Sequence, residues 1–108
     1  MSVGLYKYNG NIFDDVEEIL SENIASQRIY DRYLEPAIEE LNIFYFQDGA
    51  EIRKNNLDLV IKEIELLTKW VVNHVEGEDK EYLLERLKHM KEVIPKSLES
   101  DEDVLYIF

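Results

Sequence analysis

Two histidines, His74 and His89, have the widest chemical scope of any side chains in this sequence, because imidazole can act as a general base or as a metal ligand. Glu85 lies four positions before His89, so on a helix the two side chains would share a face and could supply two ligands to a metal ion. The sequence offers no obvious third ligand. It therefore favours a solvated Glu85–His89 pair over a metal site, and we expect no bound metal.

No other catalytic motif is recognisable. The chain contains no cysteine, so it has no thiol nucleophile, and none of its serines lies in a nucleophile-elbow pattern, although a triad built from distant residues stays open. Its four glycines form no phosphate-binding or dinucleotide-binding loop. The acidic run "SDED" lacks the glycine and the distal glutamate of a calcium loop. We therefore expect a protein that is not an enzyme and that needs no cofactor.

The carboxylates form a more informative pattern. In "FDDVEEILSENI", residues 13–24, apolar residues recur at helical spacing, which predicts a helix over residues 12–25. Asp14, Glu18 and Glu22 would line one face of this helix with no base beside them, and such like-charge pairs cost about 0.2 to 0.5 kcal/mol each. An unpaired acidic face is explained if it meets cations on another molecule. The alternative is a solvated face that aids solubility.

A second acidic cluster, "ESDED", precedes the apolar end "VLYIF". If the first and last strands are neighbours, the acids of the predicted first helix and of this cluster could lie on one side of the molecule. Tyr6 and Tyr8 alternate with Leu5 along the first strand and so share the opposite face. They could be anchors for a partner, because tyrosine is enriched at binding hot spots, or they could pack against a helix.

Composition limits the class of partner. The 108 residues suit one domain, residues 1–108, and 45% of them are hydrophobic. The net charge of -12 repels nucleic acid and anionic membranes, so direct binding to either is not expected, and basic proteins are the favoured partners. The absence of cysteine, of a signal-peptide pattern and of any long apolar stretch is typical of a cytoplasmic protein.

The order of predicted elements is β-α-α-β-β-α-α-β. This order indicates an α+β fold, with a small mixed or antiparallel sheet covered by about four helices. Pro36 is expected to restart or kink the second helix, and Pro95 to close the fourth. The predicted core includes Leu20, Ile38, Phe44, Ile61, Ile64, Leu67, Val71, Leu87 and Ile94. The predicted strands cover residues 2–8, 43–46, 50–53 and 104–108, and the predicted helices residues 12–25, 29–41, 57–75 and 79–94.

A small, cysteine-free, strongly acidic α+β domain without a catalytic motif resembles, in overall build, the bacterial immunity proteins that neutralise nuclease toxins. The resemblance covers the whole chain and involves no diagnostic motif, so no functional residue is carried over from that family. It implies a cognate basic toxin whose active site or nucleic-acid-binding surface is covered by an acidic surface. Phage-encoded acidic inhibitors that imitate nucleic acid have the same build, and a non-catalytic protein-interaction module is a further alternative.

The sequence thus predicts three groups of partner-binding residues, while the oligomeric state stays open. Acids of the first predicted helix would steer and pair with the partner, the acids near the last strand would form a second cluster, and two tyrosines would be anchors. In that order the groups are Asp14, Glu17, Glu18 and Glu22; Asp101, Glu102 and Asp103; and Tyr6 and Tyr8.

Overall fold

A computed structural model describes residues 2–9 and 17–108, which contain four strands and three helices. Helix α1 runs through residues 27–41 as three consecutive parts, Gln27–Ile29, a π-helical turn at Tyr30–Leu34, and Glu35–Leu41. Helix α2 (Leu57–His74) follows a 3₁₀ turn at Lys54–Asn56, and α3 is Gly77–Ser97. The strands are β1 (Ser2–Asn9), β2 (Glu17–Ser26), β3 (Glu51–Arg53) and β4 (Val104–Ile107).

The four strands form one antiparallel sheet in the order β2-β1-β4-β3. The α+β class and the small sheet are therefore confirmed, and of the two predicted arrangements, mixed or antiparallel, the sheet has the antiparallel one. The first and last strands are neighbours, with Leu5 opposite Ile107 and Tyr6 opposite Tyr106. The element order of the described residues, however, is β-β-α-β-α-α-β with three helices, so the predicted order and the predicted number of about four helices are not confirmed.

The predicted first helix is wrong from Glu17 onward, because this part of the chain is strand β2. Residues 12–16 of that prediction lie outside the described residues. Apolar residues spaced by four fit a strand face as well as a helix face, since four positions are twice the strand period of two and close to one helical turn of about 3.6 residues. The pairing with β1 runs along the whole of β2, and it is interrupted by register shifts at Ile19 and Ile24, where β2 has one extra residue.

The predicted strand over residues 43–46 is also wrong, because these residues form a loop. Asn42 ends α1 in the left-handed conformation, with φ at 56°. The backbone N–H groups of Phe44, Tyr45 and Phe46 then donate to the carboxylate of Glu63 on α2, at 2.7, 2.9 and 3.0 Å, rather than to a neighbouring strand. One side chain thus replaces the ladder of hydrogen bonds that a strand would need.

Glu63→Gln should lower the free energy of unfolding by about 1.5 to 3 kcal/mol, the range for hydrogen bonds to a charged group. The amide has one acceptor oxygen and two N–H donors, so it cannot serve all three backbone donors. Urea unfolding measures the change. Glu65→Gln is the matched control, since it lies on the same helix and breaks only an exposed ion pair with Lys91. Equal losses in the two variants would contradict this role of Glu63.

The two prolines are accommodated within helices. In α1 the π-helical turn precedes Pro36, and the helix continues through it to Leu41 without a break. Helix α3 continues past Pro95 to Ser97, so Pro95 does not close it as predicted. A proline in the last turn removes a single backbone hydrogen bond, which a long helix can tolerate.

The helices cover one face of the sheet. Alternate strand residues, including Leu5, Leu105 and Ile107, are fully buried and join the apolar residues of the helices in one core. Of the predicted core, Phe44 is wrong, since it is 69% exposed, and Leu20 and Ile61 are only partly buried. The remaining predicted core residues are buried, namely Ile38, Ile64, Leu67, Val71, Leu87 and Ile94. No helix in the described residues combines the length and the apolar character needed to span a bilayer.

Candidate protein-binding surface

The side of the sheet that faces away from the buried core has four aromatic side chains, which we call the aromatic face: Tyr6, Tyr8, Tyr106 and Phe108. Tyr6 stacks on Phe108 with ring centroids 4.5 Å apart and on Tyr8 at 6.3 Å. Tyr8 lies 6.1 Å from Tyr106 in a tilted arrangement. The three tyrosines are partly exposed and Phe108 is 52% exposed, whereas Leu5 and Ile107 on the other face are buried.

Gly4 makes room for this cluster. A Cβ atom at Gly4 would lie 2.8 Å from the Tyr6 hydroxyl oxygen and 3.0 Å from two ring carbons, so the glycine lets the ring lie across the strand. Gly4 also exchanges two backbone hydrogen bonds with Phe108, at 2.8 and 3.1 Å. The strand alternation predicted from sequence does place Tyr6 and Tyr8 together, while their use as anchors stays a prediction.

An acidic loop, residues 99–103, leads from α3 to β4 at one end of the sheet. Within it, Asp103 is already engaged, since one oxygen lies 3.0 Å from Lys7 Nζ and the other accepts the backbone N–H of Ser100 at 2.8 Å. Lys7 also donates to the Ser97 carbonyl at 3.1 Å. The hydrogen bond from Ser100, together with Lys7, holds the pKa of Asp103 below its usual value. Asp103 therefore orders the loop rather than presenting a free charge.

The lowered pKa of Asp103 gives a test of pH dependence. A carboxylate whose pKa is lower in the folded state stabilises the fold above its unfolded-state pKa, and the contribution disappears as the pH falls through the folded-state pKa. Asp103→Asn should therefore lower Tm at pH 7, with a difference from the parent protein that closes in strong acid. Thermal unfolding across this range measures it. A difference that is constant with pH would contradict the ionic role of Asp103.

Asp101 and Glu102 differ from Asp103, because both are exposed and neither has a base within 4 Å in the described part of the chain. Glu102 also lines a surface depression of about 380 Å³ that joins the acidic loop to the aromatic face. The other residues around this depression are Lys7, Tyr8, Ile19, Asp103, Val104 and Tyr106. The structure thus brings Tyr8, Glu102 and Asp103 together, three of the residues predicted to bind a partner.

The remaining predicted acids are arranged differently from the expected helical face. Glu22 lies on β2, where its carboxylate is 3.0 Å from Nε2 of His89 on α3. The backbones of Glu17 and Glu18 pair with the end of β1, so Glu18 and Glu22 do not form a helical stripe. Asp14 lies outside the described residues. Of these four acids, Glu22 is the one with a described side-chain contact, and that contact is internal.

The histidines have structural partners. His89 contacts Glu22 rather than the predicted Glu85. His74 stacks on Trp70 with centroids 4.5 Å apart, and its Nδ1 lies 2.8 Å from the Trp70 carbonyl oxygen. Across residues 2–9 and 17–108, no three histidine, cysteine or acidic side chains are grouped so that they could hold a metal ion.

Sequence reasoning missed Phe44 as a surface residue. Its loop is fixed by Glu63 and by Gln47, which donates from Nε2 to the Phe44 carbonyl at 2.7 Å, so the exposed ring is held by an ordered backbone. No local signal separates Phe44 from the buried Phe46, because both belong to one apolar run. The interaction that separates them comes from a residue on another helix.

The chain matches no protein-family model, no curated protein and no solved structure.

Proposed function

We propose that this chain is a cytoplasmic, non-enzymatic immunity protein that binds and neutralises a basic protein, a nuclease toxin of the same bacterium or its neighbours. The observation that supports this proposal is the aromatic face with the acidic loop beside it. Four aromatic rings in mutual contact lie beside the loop that carries Asp101 and Glu102, two exposed acids with no base within 4 Å among the described residues, in a chain of net charge -12.

The aromatic face has the physical properties of the centre of an interface. Tyrosine and phenylalanine rings bury a large apolar area, and tyrosine also offers a polar tip. Because Tyr6 is already stacked between Tyr8 and Phe108, little side-chain freedom would be lost when a partner binds. Residues with these properties supply most of the binding energy at protein interfaces.

The acidic loop has the properties of a rim that selects and steers the partner. Exposed carboxylates add little affinity by themselves, but they speed the approach of a basic protein and disfavour acidic ones. A nuclease presents Lys and Arg side chains where it holds phosphates, so Asp101 and Glu102 would occupy the place of phosphate groups. A phage-encoded nucleic-acid mimic would use the same mechanism. The two functions differ in the partner, which is a toxin encoded beside the immunity protein in one case and a phage or host nuclease in the other.

The first experiment concerns the partner itself. An immunity protein is expected to be encoded immediately downstream of its toxin, so the product of the upstream gene should be toxic when expressed alone and harmless when expressed with this chain. The purified pair should form a complex in which nuclease activity is lost. If this chain does not bind the product of the upstream gene but inhibits a phage or host nuclease, the nucleic-acid mimic is favoured.

The second experiment tests the surface. The double variant Asp101→Lys and Glu102→Lys should slow association with the partner by about tenfold or more at low salt, and the difference should shrink as salt rises. The control is Glu78→Lys with Glu81→Lys, which changes the net charge equally on exposed positions of α3. Stopped-flow association rates at several salt concentrations measure the effect. Equal slowing by both variants would mean that only net charge matters, and binding that tolerates salt would favour an interaction module.

A further inference from the structure

Helices α2 and α3 enclose an apolar groove on their exposed side, and it is separate from the aromatic face. Its floor consists of Val72 on α2 with Leu84 and Leu87 on α3, and its volume is about 580 Å³. Val72 is 47% exposed, and it is one of three exposed aliphatic side chains on α2, together with Leu59 and Leu66. The Thr68 hydroxyl, also in the groove, already donates a hydrogen bond to the Ile64 carbonyl oxygen at 2.8 Å. The groove therefore offers mainly apolar contacts.

The charge of the groove is opposite to that of the whole chain. Three lysines line it, Lys69, Lys88 and Lys91, together with a single carboxylate, Glu65, which pairs with Lys91 at 3.0 Å. The whole chain has 24 acids and 12 bases. Two of the groove lysines, Lys69 and Lys88, have no carboxylate within 4 Å among the side chains that the structure describes. An apolar floor between unpaired lysines suits a ligand that is apolar on one side and acidic on its flanks.

We propose that this groove binds a short, acidic, amphipathic helix from another protein. The groove extends from Glu65 to Val72 on one helix and from Leu84 to Lys91 on the other, which at a rise of about 1.5 Å per residue corresponds to two helical turns. The surfaces of two helices offer no unpaired backbone groups to which a strand could be added, whereas the apolar stripe of a third helix packs between two others. Leucines at positions i, i+3 or i+4, and i+7 would contact the floor, and flanking glutamates would meet Lys69 and Lys88.

This binding site is independent of the proposed neutralising surface. It would bind an acidic partner, whereas the neutralising surface would bind a basic one. A suitable probe is a capped synthetic peptide of three to four turns with leucines at that spacing and glutamates elsewhere. Its matched control has lysines in place of the glutamates. Titration into the ¹⁵N-labelled full chain should give saturable amide shifts around Val72 and Leu84, with affinity in the high-micromolar range that falls as salt rises.

Two charge variants with the same net change complete the test. Lys69→Glu with Lys88→Glu should weaken binding of the acidic peptide at least tenfold, whereas Arg28→Glu with Lys96→Glu, outside the groove, should leave it within about twofold. Shifts that map to the aromatic face, equal binding of the lysine peptide, or no saturation would overturn the proposal. Stronger groove shifts with laurate or with anionic vesicles than with the peptide would also overturn it, since they would assign the groove to a lipid.

Discussion

Replacing Phe46 with alanine is expected to lower the free energy of unfolding by about 3 to 5 kcal/mol, whereas the same change at Phe44 should cost less than about 0.5 kcal/mol. The two residues lie two positions apart in one apolar run, but Phe46 is 2% exposed and Phe44 is 69% exposed. Truncating Phe46 leaves a cavity in the core. Truncating Phe44 removes only an edge contact with Tyr45, at 4.9 Å between ring centroids, and surface that is already in water.

Urea unfolding of both variants measures this difference. Circular dichroism at low urea is the control, because both variants should retain the native helix content. A costly Phe44→Ala change would contradict the loop conformation held by Glu63 and would restore the buried strand that the sequence predicts.

Replacing Tyr6 with alanine should weaken binding of the proposed basic partner by about 30-fold or more, the effect of removing a hot-spot residue worth about 2 kcal/mol. Tyr6 is the ring that contacts both Tyr8 and Phe108, so its loss disturbs the centre of the aromatic face. Tyr6→Phe keeps the ring and should retain most of the affinity. Calorimetry or surface plasmon resonance with the purified partner measures the dissociation constants.

Tyr33→Ala provides the matched control, because Tyr33 is also partly exposed but lies on α1, where it donates a hydrogen bond to Asp79 at 3.0 Å. Its affinity should stay near that of the parent protein. Thermal unfolding of each variant separates lost binding from lost folding. If Tyr33→Ala weakens the complex as much as Tyr6→Ala while both remain folded, the aromatic face is not the centre of the interface.

The two long helices and the end strands could be predicted from the sequence, because their signals are strong. Helix α2 has an apolar stripe over most of its 18 residues, and four of its residues that point into the core are fully buried. Strand β1 has the alternation that places Leu5 opposite Tyr6. The apolar run before Phe108 could hardly remain unpaired, and it forms β4.

Strand β2 could not be predicted, because its pattern is ambiguous. Leu20 and Ile24 are four positions apart, a spacing that suits one face of a helix and, as an even number, also one face of a strand. In addition, the extra residues at Ile19 and Ile24 remove the strict alternation of apolar and polar residues that marks a strand. Pairing with β1 makes this segment a strand rather than a helix, and local residue spacing does not encode that contact. The predicted acidic helix face depended on this choice, which is why the candidate surface proposed above lies on the sheet instead.

The strand order described above also determines how the chain must fold. Because β4 inserts between β1 and β3, Leu5 cannot pair with Ile107 until the ends of about a hundred intervening positions have met. The β1–β2 pair is local and can form early, which leaves one side of β1 open as an unpaired edge. During that interval the strong negative charge of the chain keeps copies apart. Folding should therefore show a slow step governed by the docking of β4, and stalled molecules should aggregate more readily when salt screens the charge.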